Sequence, residues 1–220
     1  MKSQLKGFPF LPTISFLSSA FLLMRFCKVS YIVVSTFSFF SVSDAVMPLS
    51  GLLGFGFPLL IVLLRGSLRI ALQNLTLLKL VYHIPGLCAS AYWATENKLI
   101  SLLLPAACIV AFLFNPVGFA AAPYALYWLI PMALYFVPQK SIFMHSLAST
   151  FIAHAVGSVL WLYTHPGMTP VQWYALIPVV AAERLLFAST MALVYYVGAY
   201  TKNMVLSWSQ SKKKVPATEQ

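Results

Sequence analysis

Glu183 is one of four acidic side chains in the 220-residue chain, and it stands beside Arg184 inside the apolar run Ile177-Pro178-Val179-Val180-Ala181-Ala182-Glu183-Arg184-Leu185-Leu186-Phe187. The pair lies about ten residues into its apolar block, or ~15 Å along a helix, which is near the midplane of a bilayer. A charge at that depth costs at least ~2.5–3.5 kcal/mol and normally faces a partner inside the protein. Two chemistries fit. The pair can be a structural ion pair that braces helices, with Arg184 snorkelling if the helix starts later. Alternatively, one of the two ions contacts a polar group of a bound solute.

Thr150, His154 and Ser158 recur at i, i+4 and i+8, so they share one helix face. Such a stripe reads first as interhelical hydrogen-bond glue, and second as part of a site centred on the imidazole. His145 stands nine residues earlier, about half a turn out of phase, and is expected to lie apart. Neither histidine has a carboxylate or second histidine at a metal-ligand spacing, so no metal is expected. Cys27, Cys88 and Cys108 show no paired spacing, which implies neither a disulfide framework nor a zinc site, and no cofactor signature is present. Aromatic residues gather near segment ends, among them Tyr92 and Trp93, Tyr124, Tyr127 and Trp128, Trp161 and Tyr163, and Trp173 and Tyr174. That is the pattern of an interfacial belt, and those beside outer loops also suit the roof of a pocket for a flat ligand. The sequence contains no Walker A loop, no Gly-x-Ser-x-Gly elbow and no His-Glu-x-x-His. Lacking a nucleophile–base set as well, the chain is expected not to be an enzyme, a lipid-modifying one included.

These residues need elements to hold them. Hydrophobic residues make up 60% of the chain and charged residues 8%, against about a quarter charged in soluble domains. The apolar stretches reach spanning length without the alternation of a membrane β-barrel. Helices that satisfy their own backbone are therefore expected. Apolar blocks fall at 8–24, 29–42, 44–64, 70–94, 99–114, 119–137, 142–163 and 174–199, with short polar breaks between them. The reading is an all-α, polytopic membrane helix bundle. It comprises N-terminal hydrophobic segments over 1–43, a core of six transmembrane helices over 44–200 and a loose basic tail over 201–220. Lys2 and Lys6 precede a stretch with no small-residue cleavage site, so 8–24 reads as an uncleaved first helix or an interfacial segment.

The net charge of +10 is distributed as orientation signals rather than as a basic domain, so nucleic acid is not an expected partner. Lys202 and Lys212–Lys214 put the C-terminus in the cytoplasm. Counting back, Thr164–Trp173 is outside, Pro138–Ser141 inside, Asn115–Gly118 outside and Thr95–Lys98 inside. The localisation implied is an inner or plasma membrane, crossed several times. A full span over 70–94 puts Arg65 and Arg69 outside, against the rule. A re-entrant turn at His83-Ile84-Pro85-Gly86 puts them inside. Both alternatives stand.

The run Val42-Ser43-Asp44-Ala45-Val46-Met47-Pro48-Leu49-Ser50-Gly51-Leu52-Leu53-Gly54 opens the six-block core. Together with size and hydrophobicity over about 44–200, it resembles the substrate-binding S components of energy-coupling factor vitamin transporters. The resemblance implies a protein that takes up a small organic molecule, such as a vitamin or precursor. It also implies a transmembrane coupling subunit and ATPases as partners. Ser50 and Gly54 match the small residues that meet the coupling subunit. The neighbourhoods of His154, Trp161, Trp173 and Glu183 are implicated in substrate binding, and the intramembrane charge of Arg184 adds it to them. Segment 8–42 and the outside position of Arg65 and Arg69 depart from that pattern. The alternative expectation is a structural or assembly-factor membrane protein, in which Glu183 and Arg184 only brace helices.

Overall fold

Proline decides where many of the helices begin, because a residue without an N–H fits a first turn whose donors have no intrahelical partner. The computed structural model describes residues 10–24, 28–31, 38–41, 46–71 and 81–213. Helix α1 (Phe10–Met24) precedes an antiparallel ribbon of β1 (Lys28–Tyr31) and β2 (Ser38–Ser41), in register Lys28 with Ser41 and Tyr31 with Ser38. A 3₁₀ segment (Met47–Leu53) and α2 (Gly56–Ala71) follow. Helix α3 (Ile84–Thr95) leads to a π-helical turn (Leu99–Leu103) that runs into α4 (Leu104–Leu113). Next come the short α5 (Pro116–Ala120), a 3₁₀ segment (Ala122–Trp128) and α6 (Leu129–Tyr135). The chain closes with α7 (Ile142–Thr164) and α8 (Pro170–Lys213). The bundle is all-helical, and the ribbon is a small appendage at its N-terminal side.

Helix α7 is the axis of the bundle, packed against α3, α4, α6 and α8. Its near-continuous burial comes from small residues, with Ser146, Ala148, Ser149 and Ala155 all inside. Ser141 caps its start, its side chain accepting from the Met144 N–H at 3.1 Å. Against this axis pack Phe112, Trp128, Trp173 and Tyr92, all fully buried. The outer face stays apolar, with Leu103, Phe114, Phe119, Leu193 and Tyr200 each at least 60% exposed.

Several expectations change. Block 29–42, read as part of an N-terminal hydrophobic segment, contributes the ribbon instead, where Val29, Tyr31, Phe39 and Phe40 are residue types that favour strands. Block 119–137 is not one helix. With prolines at 116, 123 and 131, it divides into α5, a 3₁₀ segment and α6. Among the described residues two helices are long and apolar enough to cross a membrane, Ile142–Thr164 and, within α8, Pro170–Met204. The other described helices are shorter, so six full-length spans are not seen. Residues 72–80 of the 70–94 block lie outside the described residues. Helix α8 runs unbroken through the stretch read as a loose tail, as far as Lys213.

Ser50 and Gly54, expected on a small-residue helix ridge, have a different backbone. They sit on a 3₁₀ segment, whose three-residue turn does not align positions four apart. Ser50 is buried and donates to the Met47 carbonyl at 2.6 Å, so it faces the bundle. Gly54 ends the segment at φ 91° in open space, a backbone that strains any other residue. Gly51 packs so closely on α3 that a β-carbon would collide with the Ser90 carbonyl.

Candidate functional site

Tyr124 is the centre of the polar site, held there by the 3₁₀ segment that presents Tyr124 and Trp128 to the bundle interior. Its ring centroid lies 4.8 Å from that of Trp173 and 5.4 Å from that of His154. The rings of Phe112 and Trp128 complete the enclosure at 5.8 Å and 6.3 Å. Its hydroxyl meets the Ser158 hydroxyl at 3.4 Å. One turn away, Tyr127 stacks on Phe151 and donates to the Ile177 carbonyl at 2.9 Å, tying the segment to α8.

Glu183 and Arg184 enter from α8 and are 5% and 7% exposed. Arg184 Nη2 donates to Glu183 Oε2 at 2.5 Å. Its Nη1 makes a long contact, 3.5 Å, to the Thr150 carbonyl on α7, and the guanidinium lies 4.7 Å over the Phe187 ring. Thr150 stands one turn before His154 on α7, so the Arg184 contact reaches the helix that carries the imidazole.

Five buried polar atoms of these residues have no hydrogen-bond partner: Glu183 Oε1, Arg184 Nε, His154 Nε2, Trp173 Nε1 and Trp128 Nε1. Each such group costs roughly 1–3 kcal/mol when left unsatisfied in an apolar interior. They amount to one carboxylate acceptor, three N–H donors and an imidazole nitrogen of either sense. Among the described residues no three His, Cys, Asp or Glu side chains converge as metal ligands would.

Of the residues singled out in the sequence, His154 and Trp173 meet through Tyr124, whereas Glu183 and Arg184 reach α7 one turn before His154, at the Thr150 carbonyl. Trp161 does not join them. Two turns beyond His154, it is 41% exposed, stacks on His165 at 3.8 Å with 5° between planes, and donates to Met168 Sδ at 2.9 Å. Tyr82 closes that outer group, its hydroxyl 3.3 Å from His165. The Thr150, His154 and Ser158 stripe does face its neighbours, although Thr150 Oγ1 turns back to the Leu147 carbonyl at 2.9 Å.

Sequence reasoning placed Tyr124 first in an interfacial belt, and second among the aromatics beside outer loops that suit the roof of a pocket. It also missed a second polar cluster, where Glu96 pairs with Lys140 and approaches His145 Nδ1 at 3.7 Å. Burial holds the Lys140 ammonium below its ordinary value despite that partner. The available signal was topological: Glu96 and Lys140 lie in two connections that the charge rule assigns to one side. Neither a protein-family model, nor a curated protein, nor a solved structure matches this chain.

Proposed function

We propose that this chain is a multi-pass membrane protein that binds a small organic solute for uptake, at the site formed by Glu183, Arg184, His154, Tyr124 and Trp173. One observation carries this reading. Two buried ions adjacent on the same helix cannot brace one helix to another through their own pair, yet they sit among unpartnered polar atoms in an apolar interior. A group that supplies partners to those atoms offsets their cost, and a solute with donors and acceptors is such a group.

Interhelix contacts support alternating crossings. Tyr163 bonds to the Ala111 carbonyl, Tyr174 to the Ala120 carbonyl and Tyr82 to His165, gathering residues 82, 111–120 and 163–174 at one end. Glu96 and Lys140 meet at the other. This favours a full crossing over re-entry for the segment ending at Thr95. With the basic C-terminal residues inside, the Glu96–Lys140 end is cytoplasmic and the Trp161–His165 end is outside. The exposed apolar side chains meet lipid. A transmembrane coupling subunit and ATPases supply the energy, as in the S components that the sequence resembles. Of the two small residues in that comparison, only Gly54 is at the surface.

Native mass spectrometry of the protein, purified in mild detergent from its own host, tests the reading. A bound small molecule or co-purified ATPase and membrane subunits is the expected result. A stable complex with other membrane proteins, but with neither ligand nor ATPase, replaces it with a structural or assembly role. Glu183→Gln, Arg184→Leu and His154→Ala are each expected to weaken binding of the recovered solute. Normal binding by all three, with only reduced stability, overturns the site.

A further inference from the structure

Helix α1 differs from the rest of the bundle in what it turns outward. Its buried side is Thr13, Leu17 and Ala20, spaced four and three residues apart on one helix face. Its outward side carries Ser15, Ser18 and Ser19, with Pro12 and Leu22 at the two ends, all exposed. Ser19 Oγ donates to the Ser15 carbonyl at 2.9 Å. On α2 the outward residues include Leu59, Leu60, Leu63 and Leu64 instead. A face against hydrocarbon is apolar, as on α2, whereas a row of serines suits the polar layer above it.

Two contacts fix the level of α1 along the bundle. Gly198 of α8 packs so closely on Phe16 that a β-carbon there would lie 2.9 Å from the Phe16 ring. Gly198 is fifteen residues beyond Glu183 on α8. That is ~22 Å along the axis, or ~17 Å at a ~40° tilt, against ~15 Å for half a hydrocarbon core. Independently, the Trp93 and Tyr195 rings lie 6.0 Å apart. Glu96 follows Trp93 by three residues and Gly198 follows Tyr195 by three, so Gly198 is level with the Glu96 connection. Leu17 and Ala20 share one core with Trp93, Tyr195 and Ile142, and Ile142 stands two residues past Lys140. Helix α1 has 15 residues, so it reaches only ~11 Å either way from its middle. From that level it does not cross a ~30 Å core.

We infer that α1 is an interfacial helix of the cytoplasmic leaflet. Phe16, Leu17 and Ala20 hold it to the end of the bundle, and Ser15, Ser18 and Ser19 face the phospholipid headgroups. Lys2 and Lys6 precede it in the sequence, and basic residues beside an apolar segment belong on the side whose lipid surface is anionic. This rests on the membrane arrangement proposed above, with Glu183 near the midplane, and adds a lipid contact outside the solute site. A spanning helix and a helix in bulk water are the competing positions.

Photoreactive lipids decide among the three. The full, unsubstituted chain is placed in nanodiscs of phosphatidylcholine and phosphatidylglycerol that carry a diazirine either on the headgroup or at the end of an acyl chain. Modified residues are then located by peptide mass spectrometry. Leu185 and Leu186, exposed within one turn of Glu183, are the internal standard for hydrocarbon and are expected to take the chain probe. Ser15, Ser18 and Ser19 are expected to take the headgroup probe and not the chain probe. Chain-probe labelling of the serines puts α1 in hydrocarbon, labelling by neither probe puts it in water, and either result overturns the inference. Failure of Leu185 and Leu186 to take the chain probe overturns the membrane arrangement itself, so the two failures are distinguishable. The leaflet is read with Ser18→Cys in vesicles of known orientation, with each cysteine resolved at its own peptide. An impermeant maleimide is expected to modify it from the cytoplasmic face only. Modification from the outer face, or from neither, overturns the assignment.

Discussion

The two buried ion pairs in this bundle differ in what they connect. Glu183 and Arg184 are neighbours on α8, and their pairing constrains one short stretch of one helix. Only the long contact from Arg184 to the Thr150 carbonyl reaches another element. Glu96 and Lys140 instead join two connections 44 residues apart. The second pair is tertiary structure, and the first is local charge placed where charge is expensive. Adjacent helix residues point about 100° apart, so their side chains must bend toward each other to meet. What the contrast teaches is that only a pair between separate elements holds those elements together. A buried pair within one helix calls for another explanation.

Substitutions can break or sharpen that contrast. The largest effect is expected from removing one partner: Lys140→Met and Arg184→Leu should each lower stability by about 3–5 kcal/mol, because each leaves a carboxylate uncompensated. Unfolding titrations in detergent measure this, and a loss under 1 kcal/mol in either variant means that its pair is solvated rather than buried. Next comes Gly51→Ala, which drives a methyl group into the Ser90 carbonyl and should cost about 1–3 kcal/mol. Its thermal midpoint should fall well below that of a Gly167→Ala control, where a β-carbon meets nothing within 4 Å. Ser158→Ala removes the hydroxyl beside Tyr124 and should cost about 1 kcal/mol. The smallest stability change is expected from the double variant Glu183→Gln with Arg184→Leu, near zero within about 1 kcal/mol, since removing both ions relieves the desolvation that each alone suffers. Solute binding should nevertheless stay lost in that double variant, measured with the molecule recovered by native mass spectrometry. Restored binding would place the ligand elsewhere.

The sequence made the helical character plain, since long apolar runs with few ions leave the backbone little alternative. It was least informative where the apolar run was continuous but the backbone was not. Nothing in the hydropathy of 119–137 marks three separate pieces, although prolines at 116, 123 and 131 do. Block 29–42 showed the converse: apolarity suggested a buried segment, while the strand preference of Val29, Tyr31, Phe39 and Phe40 governed the pairing. At the site, Glu183 and Arg184 were legible because an ion inside an apolar run is conspicuous. Tyr124 was not, because a tyrosine near a segment end looks like every other belt residue until the 3₁₀ segment turns it inward. Glu96 and Lys140 were hidden by distance along the chain, which no local pattern spans. Trp161 was implicated by the family resemblance, which favours later helices and outer loops, whereas here it is 41% exposed and stacked on His165.

Helix α8 spans 44 residues, or ~66 Å at 1.5 Å per residue, about twice the ~30 Å thickness of a hydrocarbon core. Its proline, Pro178, lies before Glu183, and no second one interrupts the rod from there to Lys213. In the membrane arrangement proposed above, the excess emerges as a stiff stalk. A stalk differs from a tether. A tether lets bound partners drift, whereas a stalk holds them at fixed height and azimuth. Tilt applied at its far end is carried along one helix toward Glu183 and Arg184.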